Sequence, residues 1–289
     1  MKIKRSTLLV AFGVFVFALF VFAQQRDWSK VEIKVIHVAK NVYMLQGEGG
    51  NIGVSVGDDG LLIVDDQFAP LASKIEAALR QLSPGKLKFV LNTHHHGDHT
   101  GGNAHFGRDA HIVAHENVRK RLAGSTKAAL PVITFDNSMH IHFNGEEIRL
   151  THLPHGHTDG DSMVHFTSAN VIHMGDQFFS GRFPNIDLAG GGDVRGYIRN
   201  LESVMTNLPP DVKLIPGHGP LSTVKELREL HEMLVETAGI VEKQIAAGKS
   251  LTEIQAAGMP EKWKSWAVPT MTTQRWIEIL HRSLTARRN

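Results

Sequence analysis

The tightest constraint on this chain is the stretch from Asn92 to Gly102, NTHHHGDHTGG, which packs four histidines and one aspartate into six consecutive residues after a strongly apolar run. His94 and His96 are two apart. In a loop that follows a strand, side chains at that spacing can converge on one point. Imidazole and carboxylate suit zinc, at about 2.0–2.2 Å from the metal. Gly97 lets the backbone turn tightly, and Gly101-Gly102 lets it approach closely again. Asp98 and His99 are adjacent, so they need not face the same ion as His94 and His96. The pattern suggests two metals sharing one loop.

The surrounding sequence explains why a loop should stand there. Short apolar segments at 31–38, 42–46, 52–56 and 61–65 read as strands, separated by Gly47-Glu48-Gly49-Gly50 and by the hairpin turn Gly57-Asp58-Asp59-Gly60. Leu71, Ile75, Ala78, Leu79 and Leu82 recur at helical spacing, predicting a helix over 71–82 that Ser83-Pro84-Gly85 stops. A strand over 87–91 then runs into the histidines. Further strands are expected at 111–114, 148–152, 162–166, 171–174 and 213–215. Helices are expected at 115–122, from a cap at Asp193 to about 207, and at 221–247, 251–257 and 273–284. The alternation predicts an α/β chain. Residues 24–247 form the main domain, and 248–289 a helical C-terminal extension packed on it.

Composition narrows the partners. With 289 residues, 42% of them hydrophobic, there is enough chain for a well-buried core. The net charge of +2 is spread along the chain, which gives no basis for a nucleic-acid partner. Lys2, Lys4 and Arg5 precede an apolar run from Leu8 to Ala23 that ends at the polar Gln24-Gln25. This is the pattern of a secretory signal peptide over 1–23, cleaved after Ala23. The run is short of the about 20 apolar residues that span a bilayer, although an uncleaved anchor is the alternative. The expected location is periplasmic or secreted, with no stable membrane span after cleavage. The chain has no cysteine, so any metal site must be built from its acids and its 18 histidines.

Two metals need more ligands than one loop supplies. Three later residues each follow a strand-like segment: His157 in HGHTDG, Asp176 in MGD, and His218 in PGHG. The ordered set, THxHxDHxGG, then HTxG, GD and PGHG, resembles the metallo-β-lactamase superfamily over roughly 31–230. That resemblance implies a four-layer αβ/βα sandwich with its site at one edge. It implies one zinc on His94, His96 and His157, and a second on Asp98, His99 and His218, with Asp176 bridging them. It also implies that Asp65, at a strand end, orients a ligand histidine. His157 is preferred over His155 and His152 because Thr-x-Gly follows it, with His155 the alternative. The remaining histidines, His95 among them, read as structural or surface groups. Iron or manganese would suit the same donors, since ligand type alone does not fix the metal.

The implied chemistry is metal-assisted hydrolysis. Two zinc ions about 3.5–4 Å apart lower the pKa of water from about 15.7 towards about 7. The hydroxide then attacks the carbonyl carbon of a small-molecule substrate, with Asp98 orienting it. An exported enzyme with this motif suggests an amide or ester hydrolase acting on β-lactam-like substrates. Against that, the commonest zinc β-lactamases of the family carry Cys where Asp176 stands. Asp176 instead resembles the glyoxalase II and lactonase branches, so a lactonase or thioesterase is the alternative. A periplasmic metal-binding protein without turnover is another. Phe178, Phe179 and Phe183 are candidates for a pocket wall, and Gly190-Gly191-Gly192 for a mobile lip. Trp263, Trp266 and Trp276 should pack the C-terminal helix, with a cover over the site as the alternative.

Overall fold

A computed structural model describes residues 26–286. The expected signal peptide, residues 1–23, lies outside the described residues. Among those described, no helix is long and apolar enough to cross a membrane. Trp28–Lys30 form a short 3-10 turn belonging to an N-terminal unit that ends at Lys30, and Val31–Asn289 form a second compact unit.

Within the second unit, the apolar segments of the first half build a seven-stranded sheet in the order β1 (Lys34–Ala39), β2 (Val42–Gln46), β3 (Ile52–Gly57), β4 (Gly60–Val64), β5 (Leu87–Asn92), β6 (His111–His115) and β7 (Ile133–Phe135). The first four strands run antiparallel through tight turns. From β4 onward the neighbours are parallel, because helices intervene: α1 (Ala72–Leu82) between β4 and β5, then the short α2 (Gly97–Thr100) and α3 (Asn103–Phe106) between β5 and β6, and α4 (Glu116–Arg121) after β6. A five-stranded second sheet contains β8 (Ser138–Phe143), β9 (Glu146–His152), β10 (Ser162–Phe166), β11 (Val171–His173) and β12 (Lys213–Ile215). Its β11–β12 pair is parallel, with α5 (Val194–Thr206) in the crossover. The chain ends in α6 (Val224–Ala246), α7 (Leu251–Ala257) and α8 (Thr273–Thr285).

The two sheets pack face to face. Leu62 and Val64 of β4 and Leu91 of β5 share one buried cluster with Ile148, Leu150 and Val164 of the second sheet. Successive strand residues point to opposite faces, so Leu61 and Ile63 must be covered from the other side. Both are buried, and Leu61 shares a cavity wall with Leu79 of α1. On the outer face of the second sheet, Ile172 and Leu214 pack with Tyr197, Leu201, Leu230 and Trp276, which come from α5, α6 and α8. This is the mixed α/β architecture with two sheets that the motif resemblance implies, with the C-terminal helices that the residue pattern predicts.

Three expectations change in detail. The strands β7 and β8 have no counterpart in the sequence reading. β8 reads Ser-Met-His-Ile-His-Phe and leaves most of its side chains at least partly exposed, as an edge strand does, so its apolar signal is weak. Helix α6 begins at Val224, not at residue 221, because Ser222 is drawn into a β-bridge with Leu214 and Thr223 forms a capping box with Glu226. His115 lies outside α4 and caps it, accepting from Asn117 N through Nδ1.

Candidate metal centre

The parallel strands bring the candidate residues to one edge. Asp65 follows β4, residues 93–99 follow β5, Asp176 follows β11, His218 follows β12, and His157 lies in the turn between β9 and β10. Ligand sites in open α/β sheets form at such carboxyl ends. His94, His96, His157 and Asp176 come together as one group, and Asp98, His99 and His218 as a second. Asp176 lies between them. Its Oδ2 is 3.4 Å from His157 Nε2 and 3.8 Å from His94 Nε2, while its Oδ1 is 3.1 Å from His99 Nε2 and 3.4 Å from His218 Nε2. Asp98 Oδ2 is 3.3 Å from His218 Nε2. His155 and His152 join neither group; His155 Nδ1 pairs with Gly191 O and His152 Nε2 with Asp159 O.

Four of the five histidines, His94, His96, His99 and His157, are turned by a partner on the far nitrogen. A carboxylate or carbonyl only accepts, so the ring nitrogen facing it carries the proton. His99 Nδ1 donates to Asp65 Oδ2 at 2.7 Å, and His157 Nδ1 donates to Asn185 O at 2.8 Å. His96 Nε2 donates to Asp187 Oδ2 at 3.0 Å. The Thr93 hydroxyl gives its proton to Asp65 Oδ2, so at 3.1 Å it accepts from His94 Nδ1. The near nitrogens are therefore His94 Nε2, His96 Nδ1, His157 Nε2 and His99 Nε2. Buried His94 Nε2 and Asp176 Oδ1 make no aligned hydrogen bond. Buried polar atoms of this kind call for a missing partner, and an imidazole–carboxylate set is the donor chemistry of zinc, so the residues fit a metal.

Electrostatics separate the two groups. Burial, reinforced by His99, holds His94 well below its usual pKa, and burial brings His157 down to about 4. Both are ready to ligate at neutral pH. In the second group burial opposes charge, yet Asp176, Asp98 and Asp65 raise His99, and Asp176 and Asp98 bring His218 up to about 9. Burial likewise opposes ionisation of the acids. The histidines outweigh it, taking Asp98 down to about 2 and Asp176 well below the usual carboxylate range.

The metallo-β-lactamase superfamily pattern matches residues 38–218, which contain every residue of both groups. The chain belongs to the metallo-β-lactamase superfamily. A hydroxyacylglutathione hydrolase from Polaromonas sp. is 30% identical over 158 residues, covering 52% of this chain and 55% of that protein. The 2,4-dinitroanisole O-demethylase subunit alpha from Nocardioides sp. is 32% identical over 136 residues, covering 45% and 42%. The chain thus spans about half the length of these relatives. The crystal structure of DIM-1 metallo-β-lactamase superposes with a TM-score of 0.62 at 18% identity, covering 71% of this chain and 98% of the other.

Within this superfamily member, several partners of the site have no sequence motif. Asn185 acts through a backbone carbonyl, which no side-chain pattern reveals. Asp187 stands in Pro184-Asn185-Ile186-Asp187, where nothing in the sequence distinguishes it from a surface acid. Phe178 is a core residue, whereas Phe179 stacks on His218 with ring centroids 5.0 Å apart, and Phe183, though buried, lines the adjoining cavity with it. The Gly190–Gly192 run is no free lip. A Cβ on Gly192 would lie 2.3 Å from His157 O, and one on Gly190 would lie 2.2 Å from Asp187 Oδ2, so these glycines permit close backbone packing. Beside Phe179 and His218 lies a cavity of about 240 Å³, whose wall includes Arg182 and, from α8, Arg275. A cavity of about 440 Å³ beside α1 lies apart from both groups, and its Glu76 pairs with Arg80 and His105.

Proposed function

We propose that the protein is a dinuclear metal hydrolase. His94, His96 and His157 would hold one ion, Asp98, His99 and His218 the other, and Asp176 would reach both. One observation supports a cation at the first position. His96 Nδ1 and His157 Nε2 lie 2.8 Å apart. With the far nitrogen of each ring already protonated toward Asp187 and Asn185, these near nitrogens are both lone pairs. Two lone pairs at that distance are satisfied only by a proton or a cation between them. Superfamily membership and the hydroxyacylglutathione hydrolase relatives support the same reading. Zinc fits the donors, as iron or manganese would.

Bound ions of this kind supply an activated water at neutral pH and polarise a carbonyl oxygen. The chain's own residues do the rest. Asp98 is the acid of the centre with an open side, its side chain 25% exposed against 4% for Asp176. Ionised and facing the opening, Asp98 is placed to orient a water by accepting its hydrogen bond. Phe179 packs against the rings of His157 and His218, and Asn185 O and Asp187 N bond to His157. Arg182 and Arg275 give the adjoining cavity positive charge, which favours a substrate carrying a negative group.

The substrate class we favour is a small thioester or ester, in line with the naming of the relatives and with Asp176 in place of a cysteine. A β-lactam amide is the second reading, and export through the N-terminal apolar stretch is part of the proposal for both. The test is zinc stoichiometry together with turnover of a thioester, a lactone and nitrocefin, before and after chelation. Two bound ions, and hydrolysis of at least one substrate that chelation abolishes and zinc restores, are expected. Full hydrolytic activity in chelated protein would sink the metal mechanism. Bound ions without turnover would leave a metal-binding protein.

A further inference from the structure

We propose that Asp187 is the positioning residue for His96, fixing the ring so that Nδ1 presents its lone pair to the first metal position. This rests on the dinuclear reading above. Asp187 Oδ2 accepts from His96 Nε2 at 3.0 Å. That bond settles both the ring orientation and the tautomer, and places the bare Nδ1 2.8 Å from His157 Nε2. A carboxylate behind a ligand imidazole also raises its basicity toward the metal.

Asp187 is itself held on every side. Its Oδ1 accepts from Gly190 N at 2.8 Å, its backbone N donates to His157 O at 2.9 Å, and its backbone O accepts from Gly192 N at 2.8 Å. Two residues earlier, Asn185 O takes the Nδ1 proton of His157. One strap, residues 185–192, therefore orients two histidines of the same group. Its ends are tied to the C-terminal helices. Phe183 N donates to Trp266 O and the Phe183 ring stacks on Trp276 at 5.7 Å, while Ser283 Oγ donates to Asp193 Oδ2 and accepts from Val194 N. The superfamily match ends at 218, so the anchors of this strap lie outside it.

His95 also approaches Asp187, with Nε2 3.7 Å from Oδ2, and His95, His96 and Asp187 could together hold a cation. His96 would then have to serve two cations through both ring nitrogens and lose its last N–H. A positioning bond asks nothing of that kind.

The test compares D187N and D187A. Both His96 Nε2–H and Gly190 N–H need an acceptor, and an asparagine has one carbonyl oxygen. If it keeps the bond to Gly190, its amide N–H faces His96 Nε2 and drives the ring proton onto Nδ1, blocking the ligand atom. Zinc affinity is measured by chelator competition in the wild type, in both variants, and in an H218A background that leaves only the first position intact. The expected result is a fall of about 10–100-fold for one of two ions, seen also in the H218A background. D187N should be at least as weak as D187A, with metal-free melting temperatures near wild type. A purely structural role reverses the order, leaving D187N near wild type and D187A the weaker. That order, or an unchanged first ion, overturns the proposal while the dinuclear reading stands. Three zinc ions in the wild type and two in D187N would overturn it in favour of a third site. A wild type that binds no zinc removes both.

Discussion

Asp65 holds His99 by a 2.7 Å bond from Nδ1 to Oδ2, and the same carboxylate takes the Thr93 amide on Oδ1 and the Thr93 hydroxyl on Oδ2. The bond sits at a strained point, since Asp65 adopts φ +65°, a conformation that tertiary packing must hold in place. Three donors thus converge on one fully buried acid. Asn at this position has one acceptor oxygen and adds two donors of its own. D65N should lower affinity for the ion held by His99 by about 10–100-fold. It should also destabilise the metal-free fold by about 1–3 kcal/mol through unsatisfied donors. Zinc competition and denaturant unfolding measure the two effects, and an unchanged second ion would show that Asp65 does not orient His99.

Thr93 extends this control to the other group. Its hydroxyl donates to Asp65 and accepts from His94 Nδ1, so one acid reaches a histidine in each group. Thr93→Val keeps the shape, and the backbone bond to Asp65, but leaves His94 Nδ1–H without its acceptor. Zinc affinity should fall for both ions, by about tenfold at the first. A loss confined to the second ion would mean that the link to His94 is idle.

The two positions should respond differently to pH. His218 holds its proton up to about pH 9, and His99 is raised by the same acids, so a metal entering the second group must displace protons. Below pH 9 the protonated fraction grows as pH falls, and second-ion affinity should drop at least tenfold per pH unit. His157 takes a proton only near pH 4, and burial holds His94 well below the usual imidazole range, so neither competes for the first ion at neutral pH. Calorimetry in buffers of differing ionisation enthalpy should find proton release at pH 7 concentrated in the second binding step. Equal release in both steps would contradict this assignment of charge.

Much of the site could be read before the fold because its side chains sit in short, spaced motifs. His94, His96, Asp98 and His99 share one loop, and His157, Asp176 and His218 each follow a strand whose apolar run marks it. What could not be read acts through backbone or at a distance. Asn185 contributes a carbonyl, and Asp187 contributes an acid with no periodic context. The edge strand β8 carries its histidines outward in an exposed pattern that resembles a loop. Glycines 190–192 suggest mobility in the sequence, whereas in the fold Gly190 and Gly192 leave no room for a side chain against Asp187 and His157 O.

That packing is open to a direct check. Gly192→Ala puts a methyl 2.3 Å from His157 O, against backbone that cannot swing aside as a side chain would. The strap must move, and with it the acceptors on His96 and His157. We expect a loss of about 1–3 kcal/mol in stability and weaker first-ion binding, with the second ion little affected. A flexible lip would instead accept alanine, leaving melting temperature and zinc affinity as they were.

Arg275 lies outside the superfamily match, yet it shares a cavity wall with His218, Phe179 and Arg182. It donates from Nη1 to Thr270 O at 3.2 Å, which leaves the remaining guanidinium protons for a ligand. A substrate that reaches the metals from this side brings its charged end past two cations. Arg275→Ala should therefore raise KM for an anionic thioester while leaving kcat close to wild type, because the interaction is made equally in ground and transition states. The effect for a surface-exposed cation is about three- to tenfold at low salt and shrinks as ionic strength rises. Arg275→Glu should be worse than Ala for the anion and neutral for an uncharged thioester of similar size. Equal losses on charged and uncharged substrates would point to a change in the shape of the α8 wall, and no loss on either would place the substrate elsewhere.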